Sequence, residues 1–146
     1  MGQLETAKNI VEMRLATWQR YHDELEPLQS RDGITCPFIP EECETNGHMY
    51  YVILLGDIDR QALIQLLLRR GIQTVFHYVP LHDSVAGLKF GRCARNLNIT
   101  ESMSRRILRL PLWVGITEQQ QSIVVNALSE TISTLRPHPQ LKALAQ

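Results

Sequence analysis

Residues 48–76, HMYYVILLGDIDRQALIQLLLRRGIQTVF, decide the fold. His48 to Leu55 is a continuous apolar and aromatic run, short enough for a buried strand and rich in strand-forming residues. Gly56 ends it. Asp57 can cap a following helix by accepting from free backbone N–H groups. That helix carries Ile58, Ala62, Leu63, Leu66 and Leu67 on one side. Arg69 and Arg70 fall in its last turn, favourable against the carboxyl end of the helix dipole. Gly71 suits the left-handed position just past a helix. Ile72 to Phe76 then reads as a second strand.

On the amino-terminal side, residues 29–46 look irregular, because Asp32-Gly33, Pro37, Pro40 and Asn46-Gly47 are turn signals. Before them, residues 3 to about 28 read as one long helix. Leu4, Ala7, Val11, Trp18, Tyr21, Leu25 and Leu28 recur at steps that stack them on one face, interrupted by Arg14. Pro27 lies where that helix should stop. Its stripe either packs on its own domain or belongs partly to another domain or subunit.

On the carboxyl side, residues 83–99 read as a loop and Thr100-Glu101 as the start of a short helix. Leu108 to Leu112 reads as extended, since Leu110 precedes Pro111. Thr117-Glu-Gln-Gln120 is a capping-box pattern opening a last helix to about Leu135, with Val124, Leu128, Ile132 and Leu135 inward. The reading is therefore a long amino-terminal helix (1–28), a small α/β domain with about three strands and helices packed on the sheet (29–136), and a flexible tail (137–146).

The 146 residues suit one domain that buries a core without staples. Fifteen basic residues balance fifteen acidic ones, which argues against a dedicated nucleic-acid binder. No apolar run is long enough to span a bilayer. Three irregularly spaced cysteines, Cys36, Cys43 and Cys93, do not suggest a disulfide framework, so a reducing cytoplasm is the default.

Chemistry concentrates at HYVPLH, residues 77–82, where the second strand runs into a loop. Strand ends of open α/β sheets are where ligand-contacting groups tend to sit, and histidine and tyrosine suit a hydroxyl-rich ligand. A plain structural turn is the competing reading. His77 and His82 are not spaced for a metal, and no phosphate-binding glycine motif occurs. Cys93 near His82 carries no local mark of activation. Arg92, Arg95, Arg105, Arg106 and Arg109 are a phosphate lead, or else a solvated charged face.

GIQTVFHYVPLH (71–82) followed by SMSRRILRLPLWVGITEQQ (102–120) resembles the carboxyl-terminal part of the DegT/DnrJ/StrS sugar aminotransferases. AKNIVEMRLATWQRYHDEL and NGHMYYVIL look similar to the same family, so the resemblance runs from residue 3 to about 135. It implies the α/β small domain of a fold-type-I, pyridoxal-phosphate-dependent enzyme. Such enzymes move an amino group from glutamate to a keto sugar on a nucleotide, here a dTDP-4-keto-6-deoxy sugar for polysaccharide or antigen synthesis. It also implies that His77, Tyr78, His82 and Asn46 line the sugar-nucleotide side of a cleft, orienting by hydrogen bonds rather than moving protons. A structural role for His82, holding the loop after Pro80, stands beside that. Family members are longer, and their large domain holds the cofactor lysine. Lys8, Lys89 and Lys142 do not sit in surroundings like it, so no catalytic, cofactor or metal residue is assigned here, and the chain alone is expected to be inactive. The alternative is a non-catalytic association module, self-pairing or pairing with a large domain through the first helix, or a folded remnant of a split gene.

Overall fold

The computed structural model describes residues 5–93 and 96–136. Leu4, Arg95, Lys142 and the expected tail lie outside the described residues. Helix α1 spans Ala7–Leu25 and passes at Pro27 into a 3-10 turn, Glu26–Leu28. A single helical turn, α2 (Gln29–Asp32), ends on Gly33 at φ 62°, the left-handed geometry that glycine tolerates without cost to a Cβ. Strand β1 is Ile34–Thr35 and β2 is Tyr50–Leu54. Helix α3 follows at Arg60–Arg69, then β3 at Val75–Phe76. After a 3-10 turn at Leu81–Asp83 come α4 (Val85–Phe90), α5 (Asn98–Arg106), β4 (Ile107–Leu110) and α6 (Glu118–Leu135).

The strands form one sheet in the order β1-β2-β4-β3, with every neighbouring pair antiparallel. The register sets Tyr50 opposite Leu110, Ile53 opposite Ile107, and Val75 opposite Arg109. Because β2 and β3 each oppose β4, they run in the same direction. The sheet has four strands rather than about three. The extra one, β1, is two residues long and exists through its pairing with β2, Ile34 opposite Leu54.

Alternation along the strands places Tyr50, Val52, Leu54, Leu108 and Leu110 in the core, with the intervening residues half-buried. The helices supply the opposing layer: Trp18, Tyr21 and Leu25 from α1, Leu63 and Leu67 from α3, and Val124, Leu128 and Ile132 from α6. So the carboxyl half of the first helix's stripe packs within its own domain. Its amino half is looser, with Met13 exposed and Val11 half-buried.

Polar ties fix the helices to each other. Gln121 is fully buried; its Nε2 donates to the Thr17 carbonyl at 2.9 Å and its Oε1 accepts from Arg20 Nη1 at 2.6 Å. Arg20 also meets Glu118 at 2.8 Å. Tyr21 donates its hydroxyl to the Pro111 carbonyl at 2.9 Å, which pins α1 to the end of β4. Burial raises the Tyr21 and Tyr50 phenols far above their ordinary values, so both act as neutral hydrogen-bonding groups. Two sequence expectations shift. Asp59, not Asp57, caps α3, accepting from Gln61 N and Ala62 N. Residues 83–99 are not all loop, since they include α4 and the first turn of α5. Thr117 and Gln120 do form the reciprocal capping box on α6.

Candidate functional site

The HYVPLH segment leaves the sheet at the end of β3 and opens an arm that runs through α4 to α5. His77 is half-buried, and its ring meets Tyr78 edge-on with centroids 5.3 Å apart. Tyr78 is 76% exposed, so its hydroxyl faces outward at the start of the arm. Pro80 sits at the N-cap of the Leu81–Asp83 turn in an extended conformation that turns the chain. His82 Nε2 lies 3.4 Å from Glu101 Oε1 on α5, which ties the loop after Pro80 to that helix.

Asn46 is elsewhere. It precedes Tyr50, which pairs with Leu110, whereas β3 leads toward His77 at the Leu108 end of β4. Asn46 therefore enters the sheet from the opposite end to His77, Tyr78 and His82. Its Oδ1 accepts from His48 N at 3.1 Å and contacts His48 Nδ1 at 2.7 Å, an Asx-type turn. Next to it, Gly47 crosses α1 so closely that a Cβ would lie 2.9 Å from the Arg14 carbonyl carbon. The three residues of the HYVPLH stretch stay together, and Asn46 does not join them within this chain.

The sequence hid two neighbours of the site. Arg60, at the start of α3, places its guanidinium 5.6 Å from the Phe76 ring centroid, directly before His77. It donates to the Ser104 carbonyl and, at 3.2 Å, to the Ile107 carbonyl. Burial pulls its pKa down from the ordinary arginine value. Arg60 thus joins the end of α5 to the strand that delivers His77. Glu101, the partner of His82, is the second. No local pattern marks either one.

The arginine lead disperses. Arg105 is exposed and 4.0 Å from Glu101, Arg106 bonds back to the Ser102 carbonyl at 3.3 Å, and Arg109 lies within β4 opposite Tyr51 and Val75. Of these arginines, among the described residues, Arg92 reaches the arm's cleft, a space of about 640 Å³ between Leu81, His82, Leu88, Cys93 and Leu97. A separate groove of about 550 Å³ lies beyond the other end of the sheet, beside Pro111, Trp113 and Ile123. Among the described residues, no group of three metal-ligating side chains gathers. No described helix is long and apolar enough to cross a membrane.

An aldehyde cofactor needs a lysine in an enclosed, polar setting. Lys8 Nζ is 4.0 Å from Glu12 on the outside of α1, with its side chain 91% exposed. Lys89 is exposed on α4 with its Nζ 5.1 Å from the Phe90 ring centroid. Neither described lysine fits pyridoxal phosphate.

The chain is 28% identical over 125 residues to a dTDP-3-amino-3,4,6-trideoxy-alpha-D-glucose transaminase of Micromonospora megalomicea subsp. nigra, covering 84% of this chain and 32% of that protein. The structure of DesV from S. venezuelae, in complex with a ketimine intermediate, superposes with a TM-score of 0.78 at 27% identity, over 93% of this chain and 35% of that one. The PMP form of the sugar aminotransferase Spr1654 from Streptococcus pneumoniae shares the fold, with a TM-score of 0.81 at 20% identity, over 92% of this chain and 33% of that one. The chain spans about a third of the length of these relatives. Residues 1–129 match the model of one family across helices, sheet and arm, and the chain belongs to that family, the DegT/DnrJ/EryC1/StrS aminotransferases.

Proposed function

We propose that this chain is the small domain of a nucleotide-sugar aminotransferase and supplies the sugar side of its cleft, not the cofactor side. The family match over residues 1–129, at about a third of the relatives' length, carries the reading. The ligand is a dTDP-4-keto-6-deoxy sugar used in polysaccharide or antigen synthesis in the cytoplasm; that the Micromonospora relative is named for a dTDP-linked amino sugar supports the nucleotide-sugar class. Tyr78 offers its exposed hydroxyl and His77 its imidazole as orienting hydrogen-bond groups. His82 holds the loop through Glu101. Asn46 contributes only if the ligand reaches the far end of the sheet. Amino transfer itself belongs to a lysine and cofactor held outside these residues, and the chain by itself does not transaminate.

The test is incubation with pyridoxal phosphate, borohydride reduction and intact-mass measurement. The expected result is no stoichiometric adduct at Lys8, Lys89 or Lys142. A one-to-one adduct mapped to a single lysine would place the cofactor side in this chain and overturn the reading.

A further inference from the structure

The sheet has two faces, and α1, α3 and α6 pack on one of them. Leu108 and Leu110 of β4 are buried on that side, so alternation turns Ile107 and Arg109 to the other. Tyr51 and Ile53 of β2 turn the same way, since Tyr50, Val52 and Leu54 are buried. The register sets Arg109 between Tyr51 on one neighbouring strand and Val75 on the other. Arg109 therefore stands on an interior strand of the open face, half-buried, with Ile53, Ile107 and Val75 around it.

Its guanidinium is unengaged. Arg20, Arg31, Arg60, Arg70 and Arg106 each donate to a named acceptor, whereas Arg109 has no hydrogen bond or ion pair among the described residues. The Tyr51 hydroxyl has no hydrogen bond among them either. A charge drawn part-way out of water calls for a counter-charge. The planar guanidinium fork matches an oxyanion with two parallel hydrogen bonds, and apolar surroundings strengthen that pairing. Tyr51, directly opposite with its Cβ about 4.5–5.5 Å from that of Arg109, adds a neutral donor beside the fork.

We propose that Arg109, with Tyr51 beside it, is an oxyanion-binding site on the open face of the sheet, and that the oxyanion is a diphosphate. The site stands on the geometry of β2 and β4; the choice of diphosphate rests on the nucleotide-sugar reading above. His77 lies two residues past Val75, so on extension of this register it is the diagonal neighbour of Arg109, about 7–8 Å away on the same face. In a nucleoside diphosphate sugar the diphosphate is bonded directly to the sugar ring. A sugar oriented by His77 and Tyr78 thus leaves its diphosphate one ring away, over Arg109. A carboxylate would occupy the fork alone, whereas a diphosphate offers oxygens to the fork and to the Tyr51 hydroxyl together.

The experiment titrates the isotope-labelled chain with inorganic pyrophosphate, dTDP-glucose and glutamate at low salt, followed by NMR. The expected result is saturable binding of pyrophosphate and dTDP-glucose, with shifts centred on the Tyr51, Val75 and Arg109 amides. Arg109→Gln should weaken both about tenfold or more, as loss of charge-assisted hydrogen bonds does. Arg109→Lys keeps the charge without the fork and should fall between parent and Arg109→Gln. Arg105→Gln removes an exposed charge on α5 and should change neither affinity. Arg109 has no partner within the described fold to lose, so its variants should melt like the parent. Failure of pyrophosphate to bind, binding indifferent to Arg109→Gln, or equal losses in Arg105→Gln and Arg109→Gln would each overturn the site. Glutamate binding in preference to pyrophosphate would overturn the diphosphate. Tyr78→Phe should weaken dTDP-glucose and leave pyrophosphate untouched. Pyrophosphate that needs Arg109, beside dTDP-glucose indifferent to Tyr78→Phe, would uphold the oxyanion site and sink the sugar-side reading, so the two failures are distinguishable.

Discussion

Thr74 is the residue whose chemistry is least explained by its surroundings. It is 4% exposed, one residue before β3, and its hydroxyl has no hydrogen-bond partner among the described residues. A buried hydroxyl without a partner costs about 1–3 kcal/mol of desolvation by mutational measures. Valine keeps the branched shape and removes the polar atom, and a missing partner leaves nothing else to lose. Thr74→Val should therefore be neutral or stabilising by up to about 1 kcal/mol, read as a urea midpoint that stays or rises. A fall of that size would show the hydroxyl to be satisfied. Buried Tyr50 makes the contrast: its hydroxyl meets His22 Nδ1 at 3.2 Å, so its burial carries no such penalty.

Among the elements, α4 depends most on one position. Gly87 has ordinary backbone geometry, and its requirement is for space, since any Cβ meets the Leu81 carbonyl. Gly87→Ala should open the arm without touching the core. Exchange at the Leu88 and Gly91 amides, which donate to the Ser84 and Gly87 carbonyls at 2.8 Å, should accelerate. Global stability should stay within about 0.5 kcal/mol, as for changes far from the core. Unchanged exchange would mean that the turn bends away from the new methyl group.

The same element shows where sequence reading stops. Periodicity reveals α3 and α6 because each buries one regular face and carries a cap or a terminal glycine. Helix α4 has six residues, none of them buried, so no periodicity marks it. Strand β1 has two residues and owes its existence to β2. Asp57 and Asp59 are both able caps, and the turn at Gly56, φ 67°, carries the chain two residues further before the helix begins. At the site, His77, Tyr78 and His82 are legible as a group because they share one short segment. The separation of Asn46 is not, because it follows from strand register. Arg60 and Glu101 approach from distant elements and leave no local signal.

At the scale of the molecule, one charged cluster joins the first third of the chain to its last helix. Asp32 is 2% exposed and receives Arg31 Nε at 2.7 Å. Arg31 also donates to Ser129 Oγ on α6 at 2.6 Å, and Arg136, just past α6, donates to the Arg31 carbonyl. Burial pushes the Asp32 carboxyl up, but hydrogen bonds from Arg31 and Ser129 and the charges of Arg31 and Arg136 outweigh it, so its pKa lies below the ordinary value. A carboxyl with a depressed folded value binds its proton more readily when unfolded. Its contribution is fully present above the unfolded value, about 3.9, and is lost as pH falls through the folded one. Asp32→Asn should therefore cost about 1–2 kcal/mol at pH 7, where the charged pair and its hydrogen bonds are intact. Arg31 is largely exposed and recovers water, which keeps the cost below that of a fully buried pair. Urea unfolding of parent and variant at neutral pH and near pH 2 should show the gap between them closing on the acid side. A gap of constant width would mean that the carboxylate's charge does not hold the two ends of the domain together, and that packing of α2 on α6 does so alone.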